Sequence, residues 1–224
     1  SYLCKLYIFA FMIYDIDIAK KVAKSLLQIN AIILQPNNPF KWAAGWNSPI
    51  YCDNRKTLSY PVIRRYIKDQ LAQIITSRYK TTNVVAGVAT AGIPHGVLVA
   101  DTLALPFIYV RSKAKEHGKQ NQIEGSFDKG QSVILVEDLI SSGKSSLEAM
   151  EILNKAGMDV KAVISIFSYG FDTASKNFQN KNCEYICLCD YETLLIQAIE
   201  QKYINKEDLS ILKKWREEPS IWKK

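Results

Sequence analysis

The stretch Val133–Ser146, VILVEDLISSGKSS, constrains this chain more than any other part of it. Four apolar residues, Val133 to Val136, form a buried-strand pattern and run directly into two adjacent carboxylates, Glu137 and Asp138. A turn of hydroxyls and glycine follows, Ser141-Ser142-Gly143-Lys144-Ser145, and then the helix-like LEAMEILNKAG. A strand that stops at paired acids and turns through a Ser/Gly loop into a helix N-terminus offers two chemistries. The loop's N–H groups, its hydroxyls and the helix dipole suit a phosphate. The acids suit sugar hydroxyls or the water shell of a metal ion. A phosphorylated ribose carries both kinds of group.

Two rival readings are weaker. Gly143-Lys144-Ser145 looks like the end of a Walker A loop, but that motif needs a glycine where Asp138 stands, and an acid there would repel a phosphate chain. An ordinary strand–loop–helix with a serine-rich cap is the other. The paired acids argue against it, because like charges side by side are unfavourable unless something binds between them.

The rest of the chain alternates. Ala19, Val22, Ala23, Leu26 and Leu27 follow helical spacing, with Asp15 or Asp17 as cap. Pro36 to Pro39 breaks the chain, a hairpin-like region spans Ser48–Asp53, and Pro61 opens a long helix through Ile63, Ile67, Leu71, Ile74 and Ile75. Strands are expected at Asn83–Val88, Pro106–Arg111, Gln131–Glu137, Val160–Phe167 and Glu184–Leu188. Helices are expected at Gly92–Leu103, Ser145–Ala156, Phe171–Gln179, Glu192–Gln201 and Lys206–Glu217. Such alternation implies a parallel sheet covered on both faces, with ligands beyond the strand C-termini. The segment Ser112–Gly130 is long, polar and basic. As a lid it would shield a polyanion from water.

At 224 residues the chain fits one domain with an ample core, and 48% apolar residues argue against disorder. The net charge of +7 comes from basic residues that are scattered apart from the Arg111–Lys119 run, without a nucleic-acid-binding motif. No nucleic-acid partner is therefore expected, and small polyanionic substrates account for the balance. An odd count of five cysteines points to a reducing compartment rather than disulfides. Cys183, Cys187 and Cys189 share strand parity, which favours one buried sheet face over a metal cluster. Tyr2–Tyr14 is apolar except for Lys5 but too short to span a bilayer, and it lacks the marks of a signal peptide. A packed or fraying extension is expected there, with no membrane partner.

A hydrophobic strand, Glu-Asp, two apolar residues (Leu139, Ile140) and Ser-Ser-Gly-x-Ser together resemble the phosphoribosyl-pyrophosphate (PRPP) motif of the type I phosphoribosyltransferases. Three further blocks narrow the resemblance to the bacterial orotate phosphoribosyltransferases: NSPIYCDNRKTLSYP from Asn47, GVATAGIPHG from Gly87, and YVRSKAKEHGKQNQIEG from Tyr109. It covers about residues 17 to 218. The resemblance implies an α/β fold, a parallel sheet flanked by helices with a small N-terminal hood. One domain is expected, with the hood at about 17–60, the core at about 61–190 and C-terminal helices over 191–224. The implied partners are PRPP and orotate, with Mg²⁺ as cofactor, in a cytoplasmic homodimer whose subunits share active sites. A transferase for another base and a non-catalytic nucleotide sensor are the alternatives. The sensor reading sits badly with the retained lid cations.

The resemblance also distributes roles. Glu137 and Asp138 hold the ribose hydroxyls, Asp138 nearer the reacting carbon, and both can meet Mg²⁺ through water. Leu139 and Ile140 through Ser141, Ser142, Gly143, Lys144 and Ser145 form the PRPP loop, and Ser141 also approaches orotate. Arg111, Lys115 and His117 contact pyrophosphate, and Lys115 and Asp138 are the expected catalytic residues. Ala89-Thr90-Ala91-Gly92 offers main-chain amides to pyrophosphate, while His95 is expected to pack. Three positions depart from the family. Cations found near orotate in some members are replaced by Ala43 and by the Ser168-Tyr169-Gly170 turn, leaving Lys41 or Arg55 as substitutes. Lys144 stands where a small residue is usual.

Overall fold

The computed structural model describes residues 13–42, 45–112 and 122–222. Helix α1 (Ile16–Gln28) is capped by Asp15, whose side chain accepts from the N–H groups of Asp17 and Ile18, both at 2.9 Å. It buries Ala19, Val22, Ala23, Leu26 and Leu27, the stripe its spacing calls for. Four short strands follow: β1 (Ile32–Leu34), β2 (Phe40–Lys41), β3 (Asn47–Ser48) and β4 (Ile50–Cys52). The hairpin expected around Ser48–Asp53 is not formed. β3 pairs with β2 and β4 pairs with β1, both antiparallel. Pro49 separates them because it has no N–H to give a ladder, and its carbonyl accepts from Gln35 N at 2.7 Å. A 3-10 turn (Asn54–Ser59) leads into α2 (Pro61–Arg78), where Pro61 occupies the first turn and no N–H is needed.

The main unit runs β5 (Val84–Val88), α3 (Gly92–Leu103), β6 (Phe107–Val110), β7 (Ile123–Glu124), β8 (Ser132–Ile140), α4 (Lys144–Lys155), β9 (Asp159–Ser168), α5 (Asp172–Asn180) and β10 (Glu184–Asp190), closed by α6 (Tyr191–Glu200) and α7 (Lys206–Glu217). Its six strands lie in the order β10-β9-β8-β5-β6-β7 and are parallel except for β7, which runs antiparallel to β6. Part of the segment expected as a lid is thus an edge strand, with Tyr109 opposite Glu124 and Val110 opposite Ile123. Residues 113–121 of that segment lie outside the described residues.

Alternate residues of β8 serve opposite faces. Ile134 and Val136 join a core with α1, α2 and the C-terminal helices, whereas Val133 and Leu135 join one with α4 and α5. This two-sided burial is the pattern that alternating β and α segments require. At the other edge of the sheet, Ile13 bridges to Cys187 and Tyr14 N donates to Cys187 O at 3.1 Å, so the end of the apolar N-terminal stretch lies along β10. Cys183, Cys187 and Cys189 are buried, but not on one common face. Cys183 packs with Tyr185 on the α4–α5 side, and Cys189 packs on the other, where the strand ends and turns into α6.

From β5 the chain first builds outward through β6 and then returns to place β8 on β5's other side. The gap between the C-terminal ends of β5 and β8 is therefore the topological switch point, where open α/β sheets bind ligands.

Candidate active site

Two loops flank the switch point. After β5 comes Ala89-Thr90-Ala91, and α3 then starts at Gly92, so close to β8 that a Cβ there would collide with the Val136 carbonyl oxygen. After β8 comes the acid pair and its loop. The strand does not stop at Glu137, as the sequence pattern implied. It continues to Ile140, because Glu137, Leu139 and Ile140 keep their register with Ser165, Phe167 and Ser168 of β9. The acids are thus held by a ladder rather than by a turn.

Glu137 is 5% exposed. Its Oε1 accepts from Asp138 N at 3.0 Å, and Ser145 and Ser146 hydroxyls lie 3.5 and 3.4 Å from its Oε2. Burial, reinforced by the neighbouring Asp138 charge, pushes the Glu137 carboxyl well above the usual range, and burial raises Asp138 as well. Two carboxylates in this position are short of positive charge. Asn54, fully buried in the 3-10 turn, donates from Nδ2 to the Asp138 carbonyl at 2.7 Å. Nearby, Arg55 pairs with Asp53 at 2.6 Å.

The loop is shaped from α5. Asn177 Nδ2 donates to Ser142 O at 3.0 Å, and the Phe178 ring fills the space beside Gly143. Gly143 has φ +76°, a left-handed conformation that an L side chain resists, and an added Cβ would run into that ring. The Lys144 side chain is 80% exposed, with its ammonium 3.9 Å from Glu148 one turn on, so its contribution inside the loop is its main-chain N–H.

Arg111 joins Ala89, Ser112 and Ser145 around a cleft of about 290 Å³ and lies 3.5 Å from Glu124. Lys115, His117 and Ala43 lie outside the described residues. His95 packs as expected. It is 2% exposed, and burial pushes its pKa down to about 4, which keeps it neutral near pH 7.

A larger cleft of about 710 Å³ opens on the other side of the loop, between Ser141 and Ser142, the hood residues Trp42 and Trp46, the turn after β9 and the segment after α7. Neither Lys41 nor Arg55 lines it. Among the described residues, the cation that does is Arg216, whose Nη1 donates to Gly170 O at 3.3 Å. Sequence reasoning missed Asn54, Trp42, Trp46 and Arg216. Asn54 lay within a recognised block but carried no functional signature, and Arg216 reaches the cleft only through long-range packing.

The acid pair and the glycine loop meet at the switch point, and residues 58–201 match the phosphoribosyl transferase domain, so the chain belongs to that family. Within it the chain belongs to the orotate phosphoribosyltransferases. It is 53% identical over 200 residues to the orotate phosphoribosyltransferase of Bacillus pumilus, covering 89% of this chain and 94% of the relative. It is 50% identical over 205 residues to that of Cytophaga hutchinsonii, covering 92% and 98%. Among solved structures, the orotate phosphoribosyltransferase of Aeropyrum pernix superimposes with a TM-score of 0.72 at 25% identity, covering 82% of this chain and 99% of that one. UMP synthase of Leishmania donovani gives 0.74 at 26% identity, covering 88% of this chain and 42% of that one.

Proposed function

We propose that this chain transfers the phosphoribosyl group of PRPP to orotate, giving orotidine 5′-monophosphate and pyrophosphate in pyrimidine biosynthesis. The observation that carries this reading is the Glu137-Asp138 pair, Glu137 buried and Asp138 half-buried, with a helix-capping phosphate loop at one switch point, in a chain about half identical to orotate phosphoribosyltransferases.

Breaking the C1′–O bond leaves positive charge on the ribose and negative charge on pyrophosphate, so the site must stabilise both. Glu137 and Asp138 hold the ribose hydroxyls, and Asp138 faces the carbon that becomes cationic. N–H groups and hydroxyls from Ser141 to Ser145 hold the 5′-phosphate at the start of α4. In this reading Arg111, Lys115, His117 and the amides of Ala89 to Gly92 attend the pyrophosphate, with Lys115 as its proton donor. Ser141 lies between the phosphate loop and the larger cleft, where orotate binds.

The acid pair fits a hard divalent cation. Its two carboxyls crowd each other, Glu137 buried and Asp138 half-buried, yet no group of three or more His, Cys, Asp or Glu side chains among the described residues could hold a metal alone. Mg²⁺ would therefore depend on PRPP oxygens for the rest of its shell, and when bound it neutralises the leaving group. We place the enzyme in the cytoplasm as a homodimer. Among the described residues, no helix is long and apolar enough to cross a membrane.

The test supplies PRPP and Mg²⁺ with orotate, uracil, hypoxanthine or adenine and follows pyrophosphate release. Orotate alone should be productive. Release with a purine alone would overturn the assignment.

A further inference from the structure

We infer that Arg216 is the cation that recognises the orotate carboxylate, so that base specificity is supplied by the C-terminal helix. This rests on the proposed reaction. The sequence lacks the cations that some family members carry before the hood turn and after the fifth core strand, where Ala43 and Ser168-Tyr169-Gly170 stand instead. A negatively charged base still needs a partner in a partly enclosed site.

The fold supplies one at the same turn from another direction. Arg216 donates to Gly170 O at 3.3 Å and lines the 710 Å³ cleft together with Ser141 and Ser142. It is the only lysine or arginine among the described residues lining that cleft. A guanidinium has five N–H donors in a planar fork, so one bond to Gly170 leaves a pair available for a carboxylate. The nearby acids, Asp172, Glu217 and Glu218, are exposed and solvated, whereas Arg216 is half-buried. Trp42 and Trp46 line the hood side of the cleft and offer apolar, flat surfaces to a pyrimidine ring.

Arg216 is also held in place. The preceding residue, Trp215, is fully buried, with its ring 5.5 to 5.8 Å from those of Trp42, Tyr169, Phe171 and Tyr191. In addition, Tyr191 donates its hydroxyl to Leu212 O at 3.1 Å. The guanidinium therefore enters the cleft from a rigid support, which favours specificity.

The experiment pairs a residue change with a ligand change. Orotate and its neutral carboxamide are titrated into the wild-type protein and Arg216→Gln without PRPP, so that no turnover occurs, and a separate titration with PRPP alone reports an intact site. Orotate affinity should fall on the order of 10- to 100-fold, as for a charge-assisted pair, while carboxamide affinity should change by less than about threefold. Arg216→Lys should lie between wild type and Arg216→Gln for orotate. Equal weakening of both ligands would reduce Arg216 to a support of the Gly170 turn and overturn the inference. If Arg216→Gln cannot bind PRPP, Arg216→Lys decides alone, and it must weaken orotate more than the carboxamide. A wild-type protein inactive with orotate would sink the proposed reaction itself, a failure distinct from either outcome.

Discussion

Asn54 and Asp138, 84 residues apart in sequence, are joined by a 2.7 Å hydrogen bond from the Asn54 side-chain amide to the Asp138 main-chain carbonyl. The bond fastens the hood to the end of β8 at the residue expected to face the reacting carbon. Asn54→Ala should lower unfolding free energy by about 1–3 kcal/mol, because an inward-facing acceptor loses its donor. Turnover should fall by roughly tenfold to a hundredfold if the carboxylate shifts. Urea denaturation and steady-state kinetics measure the two effects separately. A destabilised protein with wild-type turnover would confine the bond to folding.

Asp138→Asn removes the charge that, after burial, does most to raise its neighbour Glu137. The Glu137 carboxyl should then drop back toward its usual range, and the fold should be as stable as before or more so. Turnover should fall by on the order of 10²–10³, since the lost charge matters most when the ribose is cationic. A normal kcat with only a raised KM for PRPP would assign Asp138 to ground-state binding.

The hybrid dimer tests site sharing. Lys115→Ala and Asp138→Asn are each expected to be inactive. If the lid of one subunit serves the site of its partner, a mixed dimer contains one whole site, and activity should partly return after subunit exchange. A mixture that stays inactive despite demonstrated exchange would assign each lid to its own subunit.

Gly143→Ala should destabilise by about 2 kcal/mol or more, from the left-handed backbone and the collision with Phe178. Adding Phe178→Leu should recover the steric part and leave the backbone part. Strictly additive losses in that double-mutant cycle would show that the ring is not the obstacle.

His95 gives a pH dependence of known sign. Its pKa is about 4 in the fold against 6.5 in the unfolded chain, so the unfolded state binds more protons between these values. Its contribution is fully present above about pH 6.5 and declines as pH falls toward 4, by on the order of 3 kcal/mol in all. The raised Glu137 works in the opposite sense, because its folded form resists ionisation and gains relative stability as pH falls. Comparing wild type with His95→Asn isolates the histidine, and the variant should lack that acid-side loss. Parallel pH profiles would remove His95 from the account.

Much of this arrangement was legible in sequence because it is local. The cap at Asp15, the stripe of α1, Pro61 at the start of α2 and the strand–acid–loop–helix run from Val133 each depend on neighbours within a few residues. What escaped depends on pairing across the chain. The β8 ladder runs past the acids because β9 continues beside it, a fact that Glu137 and Asp138 do not advertise by type. The missing hairpin at Ser48 follows from β2 and β1 competing for β3 and β4. Lys144 drew attention as a charge in the Ser/Gly loop, yet its side chain is 80% exposed and its ammonium lies 3.9 Å from Glu148, one turn along α4.

The ring contact between Trp42 and Trp215 spans most of the chain, and it forms the floor on which Arg216 stands. In order of synthesis, α7 follows the sheet, the phosphate loop and the acid pair. A chain halted after α6 would hold the groups for ribose and phosphate while lacking the wall and the cation on the base side. Contacts of such long separation also close late in folding, since the loop entropy they must overcome is large. Ribose recognition and base recognition thus belong to different moments in the making of this protein.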